Sequence, residues 1–366
     1  MARLLKRREL EDVVRGATLL GAGGGGSARS GLKLVEEVLK ASPEGVTLIS
    51  PEEFEGHAVM VAGIGSPKVF MERGFGLEAV YAFEAISRLY ALAGKPITHL
   101  YPGEIGGFNV VPPFYVAALK GLQVVDADGC GRAVPELETT LFYLYGVPSS
   151  PCALADSKGN TVIFYTQDPL DSAMAETIAR HVSTAFGMVA AFATWMVDGE
   201  TLRRALALNT VSLCERIGEA LRGAVERGED PVRAVVETVG GFELFRGKVL
   251  EVSTRTAEGF DFGRLRLEGL DDYQGKTLAV DFKNENMIAW KAEGEPAAMV
   301  PDLICTMTLE GEPLTNADIA EGMKLAVLAL PAPEKWRSHP KGFEVWRHIL
   351  EKIGYKGDFI PVEKLV

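Results

Sequence analysis

The feature that most constrains the fold is a change in the spacing of apolar residues near Gly240. Before it, short apolar runs alternate with amphipathic stretches of helical period. Such alternation is typical of a mainly parallel sheet covered by helices. The predicted strands are 17–20, 46–49, 58–62, 97–101, 122–125 and 160–165, and the predicted helices are 32–40, 76–92, 112–121 and a long one from Pro169 to about 197.

After Gly240 the apolar runs become short, and Gly or Asp turns separate them about every ten residues. This spacing predicts a small antiparallel barrel or sandwich over residues 240–330. The tail, residues 331–366, contains one predicted helix at 343–352 and is expected to return to the first domain. The sequence therefore predicts one domain over residues 1–239, joined by 331–366, and a second domain over residues 240–330.

Charge and cysteine content exclude several classes of protein. The net charge of −12 argues against a nucleic-acid partner, because phosphate binding needs clustered Lys and Arg. The longest apolar run, 187–197, is too short to span a membrane and favours a buried helix. Four cysteines without a CxxC pair are typical of a reduced, cytoplasmic protein. Frequent Glu and Arg with few Asn and Gln favour a heat-adapted source, a thermophile.

Residues 101–136 place many polar side chains in two short loops, each directly after a predicted strand. Ligands of open α/β sheets bind beyond the carboxyl ends of the strands, so these loops predict a site. The alternative is structural, with acids that cap helices and pair with the arginine. The candidate catalytic groups are Glu104, Asp126, Asp128, Arg132 and Glu136, and Asn109 is a candidate donor to the ligand.

A divalent metal ion is an open alternative at the same loops. Asp126 and Asp128 stand in the sequence DADG, which resembles the start of a calcium loop, but the bidentate Glu expected further along is missing. The histidines show neither HxH nor HExxH spacing, which disfavours a zinc site made of His and Cys alone. No other cofactor is expected.

Residues 21–26 (GAGGGG) satisfy the pattern GxGxxG between a predicted strand and a predicted helix. The backbone of Gly23, Gly24, Gly25 and Gly26, together with Ser27, can cradle an anion or a carbonyl-bearing ligand at a helix N-terminus. Dinucleotide binding is disfavoured, because four consecutive glycines differ from the usual fingerprint and the acid after the second strand is displaced. A purely structural tight turn is the remaining alternative.

Two further groups leave alternatives open. The tripeptide Asn284, Glu285, Asn286 follows a β run of the second domain and either faces a cleft between the domains, as part of the binding site, or forms a hairpin turn. Cys130 has the position of a nucleophile. Nearby carboxylates raise the pKa of a thiol, however, which favours a small, partly buried residue there.

Eight segments of the chain together resemble the S-methyl thiohydantoin desulfurase family, in order and spacing, over nearly the whole length. They are 19–31 (LLGAGGGGSARSG), 63–78 (GIGSPKVFMERGFGLE), 102–109 (PGEIGGFN), 124–138 (VVDADGCGRAVPELE), 154–160 (LADSKGN), 244–249 (LFRGKV), 281–289 (DFKNENMIA) and 300–304 (VPDLI). The resemblance implies an α/β chain with a mainly parallel three-layer sandwich domain plus a small antiparallel β-barrel domain. The family usually has Met where this chain has Cys130, which further disfavours an essential thiol.

The resemblance also implies hydantoin-type chemistry, since relatives accompany hydantoinase and oxoprolinase proteins and some remove sulfur from a thiohydantoin ring. Water would attack the ring carbon that bears sulfur, with carboxylates as base and acid and with Asn109, Arg132 and the glycine N–H groups as donors. The alternative is a non-catalytic or regulatory subunit of a hydantoinase or oxoprolinase complex. The expected partners are a cyclic ureide or thioureide, a second copy of the chain and a hydantoinase-type protein, with neither nucleic acid nor membrane.

Overall fold

Two eight-stranded sheets form the framework of the molecule in a computed structural model that describes residues 2–66, 69–70, 73–257, 259–291 and 294–366. Pro67, Lys68, Met71 and Glu72 of the segment 63–78, quoted above for the resemblance, lie outside the described residues. The helices of the described ranges are α1 (Arg7–Leu20), α2 (Ala28–Ala41), α3 (Leu77–Leu92), α4 (Pro112–Lys120), α5 (Leu141–Leu144), α6 (Ser172–Ala185), α7 (Gly199–Ala205), α8 (Thr210–Arg227), α9 (Pro231–Val239), α10 (Glu334–Ser338) and α11 (Glu344–Ile353).

The strands of the two large sheets divide near residue 240. Those of the first half are β1 (Arg3–Leu5), β2 (Val46–Ile49), β3 (His57–Gly65), β4 (Ile97–Tyr101), β5 (Gln123–Val125), β6 (Ala127–Asp128), β7 (Cys152–Ala155), β8 (Thr161–Phe164), β9 (Val189–Asp198) and β10 (Ala207–Leu208). Of these, β6 and β10 form a separate two-stranded sheet. Those of the second half are β11 (Phe242–Ala257), β12 (Phe260–Gly269), β13 (Thr277–Lys283), β14 (Glu285–Trp290), β15 (Pro296–Met299), β16 (Leu303–Thr308), β17 (Pro313–Leu314) and β18 (Lys324–Leu330).

The first sheet is mixed rather than mainly parallel, which corrects that part of the sequence-based prediction. Its strand order is β1-β2-β5-β4-β3-β9-β7-β8. The three pairs among β2, β5, β4 and β3 are parallel. The four remaining pairs are antiparallel: β1 with β2, β3 with β9, β9 with β7, and β7 with β8. The parallel centre still brings the carboxyl ends of β3, β4 and β5 to one edge.

Strand β9 explains the error, since its residues were predicted to continue a helix. The helix ends at Ala185, and β9 runs in the middle of the sheet with nearly all its side chains buried. A strand that is buried on both faces shows a continuous apolar run without alternation, so its sequence resembles a buried helix.

Helices cover both faces of the first sheet. Along β3, Val59 and Val61 belong to one apolar cluster with residues of α1, α2, α3 and α4. Ala58 and Met60, on the alternate positions, belong to a second cluster with residues of α6 and α7. Because successive side chains of a strand point to opposite faces, the sheet lies between two helical layers.

The predicted strand at 17–20 is instead the last turn of α1, a second correction. Helix α1 packs against α8 so closely that a Cβ on Gly16 would lie 1.9 Å from the carbonyl oxygen of Cys214. A short apolar run does not distinguish a strand from the end of a buried helix. The glycine loop therefore joins two helices, α1 and α2, rather than a strand and a helix.

The second sheet is antiparallel throughout, in the order β15-β14-β13-β12-β11-β18-β16-β17. Gly240, at φ +65°, caps the end of α9, and β11 begins two residues later, close to the predicted change. Whether this sheet closes into a barrel, and the division into domains at 240, remain predictions. Met287 and Leu330 share the apolar cluster of α1, so the two sheets meet through a continuous core.

The tail packs on the loop that follows β6. Trp336 and Trp346 are buried, and Nε1 of Trp336 donates to the carbonyl oxygen of Cys130 at 2.7 Å.

Of the helices in the described ranges, none has the length and apolarity that crossing a bilayer requires.

Candidate functional site

The glycine loop, residues 21–26, is pressed against both the loop after β4 and the start of β14. A Cβ on Gly24 would lie 1.9 Å from Oε1 of Glu285, and one on Gly25 would lie 2.5 Å from Cα of Gly106. Gly25 also has φ +71°, a conformation that other residues rarely adopt. Close approach therefore requires the glycines, whatever ligand the loop binds.

Backbone hydrogen bonds hold this loop to the second sheet. The N–H of Asn286 donates to the carbonyl oxygen of Ala22, and the N–H of Asn316 donates to that of Gly23, each at 2.8 Å. Within the described part of the chain, the N–H groups of Gly25 and Gly26 have no hydrogen-bond acceptor. These two donors are free to bind a ligand. Ser27 caps α2, since its Oγ accepts from the N–H of Ser30 at 3.3 Å.

Glu104 lies just past the end of β4 and is partly exposed. Its Oε1 accepts from Nδ2 of Asn109 at 2.7 Å, and its Oε2 accepts from the N–H of Val134 at 2.9 Å. Burial among its neighbours raises the pKa of Glu104 to about 7, and these two hydrogen bonds with the charge of Arg132 only partly oppose that rise. At neutral pH this side chain can therefore both release and accept a proton.

Glu285 is buried at the first position of β14, next to the glycine loop. Burial raises its pKa well above the usual range, and the negative charge of Glu104 raises it further, while Arg132 opposes both. Its Oε2 has no hydrogen-bond partner among the described residues, and neither has Oδ1 of the adjacent, fully buried Asn286. Orphaned buried polar atoms of this kind need an explanation, and a bound ligand supplies one.

Asp128 belongs to the same electrostatic group but is enclosed. Its carboxylate accepts from the N–H of Cys130 at 2.8 Å and from that of Gly131 at 2.7 Å. Burial raises the pKa of Asp128 to about 7, and the charge of Glu104 adds to the rise. We call Glu104, Asp128 and Glu285 the acid cluster, three carboxyl groups whose pKa values are all raised.

Arg132 lies between this cluster and the second sheet, and its guanidinium group donates hydrogen bonds to backbone carbonyl oxygens. It is fully buried and donates to carbonyl oxygens of Ala133, Pro301, Asp302 and Asn286 at 3.0 to 3.2 Å. Its guanidinium also lies 5.0 Å from the ring centroid of Trp346. Its positive charge acts on the acid cluster from this fixed position.

Asp126 faces away from the acid cluster. It accepts from the N–H of Ser212 at 3.0 Å and from the Ser212 hydroxyl, in the first turn of α8. This is helix capping, as the structural alternative expected. In the described ranges, no group of three or more His, Cys, Asp or Glu side chains is arranged to hold a metal ion.

Glu136 lies in a separate ionic group. Nζ of the buried Lys283 donates to its Oε1, and Nε2 of His348 lies 2.7 Å from its Oε2. Burial alone would raise the pKa of Glu136, but the hydrogen bonds from His348 and Lys283 outweigh it and lower the pKa to about 2. We call these three residues the Glu136 ion group.

The tripeptide at the start of β14 includes a hairpin turn, one of the two alternatives that the sequence left open. Asn284 forms the hairpin turn at φ +55°, and its Oδ1 accepts from the N–H of Asp261 at 2.9 Å. Glu285 and Asn286 face the glycine loop. Of the predicted residues, the structure brings together Gly23, Gly24, Gly25, Gly26, Glu104, Asn109, Asp128, Arg132, Glu285 and Asn286, and it places Asp126, Glu136 and Asn284 outside this group.

Sequence reasoning missed Lys283, Asn316 and His348. Lys283 ends the mostly apolar strand β13 and lies 147 positions from the carboxylate that it pairs with, and His348 lies 212 positions from that carboxylate. No local pattern marks such partners.

A cleft of about 690 Å³ opens beside the glycine loop and is lined in part by Ser30 and Phe108. Phe108 contacts the loop directly: its N–H donates to the carbonyl oxygen of Gly25 at 3.1 Å. Pockets for small molecules commonly have volumes of about 300 to 1,000 Å³. The site therefore adjoins space for a small organic ligand.

Comparisons with known proteins extend over both sheets. Residues 8–166 match the family model described as S-Me-THD-like, N-terminal domain, and residues 170–362 match S-Me-THD-like, C-terminal domain. The chain is also similar to the crystal structure of a protein from Chromobacterium violaceum, with 27% sequence identity, a TM-score of 0.86 and coverage of 99% of this chain and 100% of that chain. No curated protein matches.

Proposed function

Because the chain belongs to the S-Me-THD-like family, the S-methyl thiohydantoin desulfurase-like proteins, we propose that it is a hydrolytic desulfurase of a five-membered cyclic thioureide such as a thiohydantoin. The observation that carries the proposal is the pairing of Glu104 and Glu285 beside the glycine loop. Both have raised pKa values, and the charge of one raises the pKa of the other. Carboxyl groups with raised pKa values suit general acid–base catalysis.

The atoms around these carboxyl groups complement a thiohydantoin ring. Such a ring presents an N–H group between two carbonyl or thiocarbonyl groups. The free N–H groups of Gly25 and Gly26 can donate to a ring oxygen or sulfur, and the unpaired Oδ1 of Asn286 can accept from a ring N–H. Binding of the ring would satisfy donors and acceptors that the protein leaves unpaired.

The proposed reaction proceeds by addition and elimination at the ring carbon that bears sulfur. Glu104, as carboxylate, accepts a proton from water while the water oxygen bonds to that carbon. Glu285, whose pKa is raised by burial, donates a proton as the carbon–sulfur bond breaks, so that methanethiol leaves an S-methyl substrate. The added hydroxyl group passes its proton to the ring nitrogen, and the ring carbon becomes a carbonyl. The glycine N–H groups stabilise negative charge that develops on the ring. One water is consumed, and the acid and base exchange states through a net proton transfer.

The direct test is thiol release by the purified protein from S-methyl thiohydantoin. We expect methanethiol, detected with a thiol reagent, and a hydantoin that carries ¹⁸O when the reaction runs in H₂¹⁸O. Glu104→Gln should lower kcat by ~10²–10⁴-fold, because an amide cannot accept the proton.

Asp126→Asn is the matched control, since it changes a carboxylate of the neighbouring loop that caps α8. It should keep kcat within about threefold, because the capping contact does not touch the reacting atoms. A rate that Glu104→Gln leaves unchanged would refute the assignment of the base. A protein inert on every cyclic ureide and thioureide, but recovered in a complex with a hydantoinase, would support the subunit alternative instead.

A further inference from the structure

The cleft of about 690 Å³ has a wall of three phenyl rings that the proposed chemistry does not use. Phe70, Phe75 and Phe108 contact one another, with ring centroids 5.2 to 5.5 Å apart. Edge and tilted contacts of this kind make a stiff apolar surface. The cleft is larger than a five-membered ring alone would fill, so part of it remains for a substituent.

A chain of contacts joins this wall to Glu104. A Cβ on Gly63 would lie 2.6 Å from the ring of Phe70 and 2.9 Å from that of Phe108, so both rings lie against the backbone of Gly63. The N–H of Gly63 donates to Oδ1 of Asn109 at 3.2 Å, and Nδ2 of Asn109 donates to Glu104. A substrate whose ring lies at Glu104 therefore has the phenyl wall beside it.

Two cations and two acids line the cleft: Lys33, Arg73, Glu37 and Glu78. Glu37 is bonded to Lys40 at 2.7 Å, and Glu78 is buried, which raises its pKa. A cationic substituent would therefore lose its hydration against the phenyl wall.

We propose that the phenyl-walled cleft holds the substituent on the saturated ring carbon of the substrate, and that the enzyme selects aromatic or large aliphatic substituents over small or cationic ones. The inference rests on the proposed function, because it places the reacting ring at Glu104. The substrates would then be thiohydantoins that correspond to apolar amino acids, with the side chain in the cleft.

The kinetic test compares thiohydantoins that correspond to Gly, Ala, Leu, Phe and Lys. We expect kcat/KM to rise from the Gly to the Phe compound by at least ~10-fold, since each buried methylene of a substrate contributes about 10- to 200-fold. The Lys compound should fall below the Leu compound. Equal kcat/KM across the series would overturn the inference while leaving the desulfurase proposal intact.

Phe75→Ala tests the wall itself, because Phe75 is half-buried and contacts both other rings. It should remove most of the preference for the Phe compound and keep the Gly compound within about twofold. Phe75→Leu keeps an apolar side chain and should show an intermediate preference for the Phe compound. This variant keeps the test valid if the alanine variant does not fold. Phe343→Ala is the matched control, a half-buried ring that packs on Phe359 in the tail. It should leave the preference unchanged.

Binding of the product separates the two proposals. A hydantoin with a benzyl substituent should raise the melting temperature of the wild-type protein more than unsubstituted hydantoin does, and Phe75→Ala should abolish the difference. This result without any turnover would refute the desulfurase and retain the subsite. Turnover with no such difference in binding or kcat/KM would refute the subsite alone.

Discussion

The acid cluster and the Glu136 ion group bury carboxyl groups in opposite ways, although one hairpin supplies a residue to each. Lys283 and Glu285 flank Asn284 at the turn between β13 and β14. Hydrogen bonds from His348 and from the buried Lys283 lower the pKa of Glu136 to about 2. At Glu104 and Glu285 burial outweighs the opposing positive charges, Arg132 at both and Lys283 at Glu285, and their pKa values rise.

This difference gives the Glu136 ion group a role in stability and the acid cluster a role in proton transfer. A buried carboxylate with its own cation is held in one charge state over the whole physiological range and contributes to folding. Carboxyl groups without such a close cation have raised pKa values, which costs stability but suits proton transfer. The predictions below test this division, beginning with the largest effect.

Glu285→Gln should lower kcat for thiol release by ~10²–10⁴-fold, because the amide cannot donate the acid's proton. The melting temperature should stay the same or rise, since the change removes a buried carboxyl group whose Oε2 lacks a partner. Glu268→Gln, an exposed position on β12 of the same sheet, is the control and should change neither quantity. A large loss of stability with normal turnover would show that Glu285 stabilises the fold and does not transfer a proton.

Lys283→Met should lower the free energy of unfolding by about 3 kcal/mol, because it removes the buried cation from a carboxylate that stays charged. Urea denaturation measures this loss. Lys276→Met changes an exposed lysine directly before β13 and should stay within about 0.5 kcal/mol of wild type. An equal effect of the two substitutions would show that the Glu136 ion group adds nothing to stability.

The two groups should give opposite slopes of stability against pH. The folded pKa of Glu136, about 2, lies below its unfolded value of about 4.3. Glu136 therefore stabilises the folded protein above a pH of about 4.3, and this stabilisation is lost as the pH falls toward 2. The folded pKa of Asp128, about 7, lies above its unfolded value of about 3.9, so its contribution is lost as pH rises from 4 to 7.

Melting temperatures from pH 2 to pH 8 check both slopes. The deficit of Glu136→Gln relative to wild type should shrink toward pH 2. The melting temperature of Asp128→Asn, relative to wild type, should instead improve as pH rises from about 4 to 7 and then level off. Parallel curves for all three proteins would contradict the assigned pKa directions.

Cys130→Ser should have the smallest effect. Burial raises the pKa of this thiol well above its usual range, and Asp128 and Glu104 raise it further, so the thiolate needed for covalent chemistry is not formed at neutral pH. We expect kcat to remain within about threefold of wild type in the thiol-release assay. Loss of turnover in this variant, with normal turnover in Glu285→Gln, would replace the carboxylate mechanism by a cysteine nucleophile.

Local sequence patterns predicted several elements closely. The runs at 46–49 and 97–101 coincide with β2 and β4. The helix predicted at 112–121 ends one residue earlier, at Lys120, and Gly121 after it adopts the left-handed conformation. These predictions succeeded because the strand, the first-turn proline and the terminal glycine act through neighbouring residues. The prediction failed at β9, where burial on both faces removed the alternation that marks a strand.

The sequence by itself determined the family, the change of architecture near Gly240 and the clustering of polar residues after β4 and β5, because motif order and strand spacing are written locally along the chain. Only the tertiary structure decided which carboxyl groups belong together. Glu136 meets Lys283, and Glu285 meets Gly24 across 261 positions, through contacts with no local signal. Burial and the nearest charge set each pKa, and both depend on residues that folding brings from far along the chain.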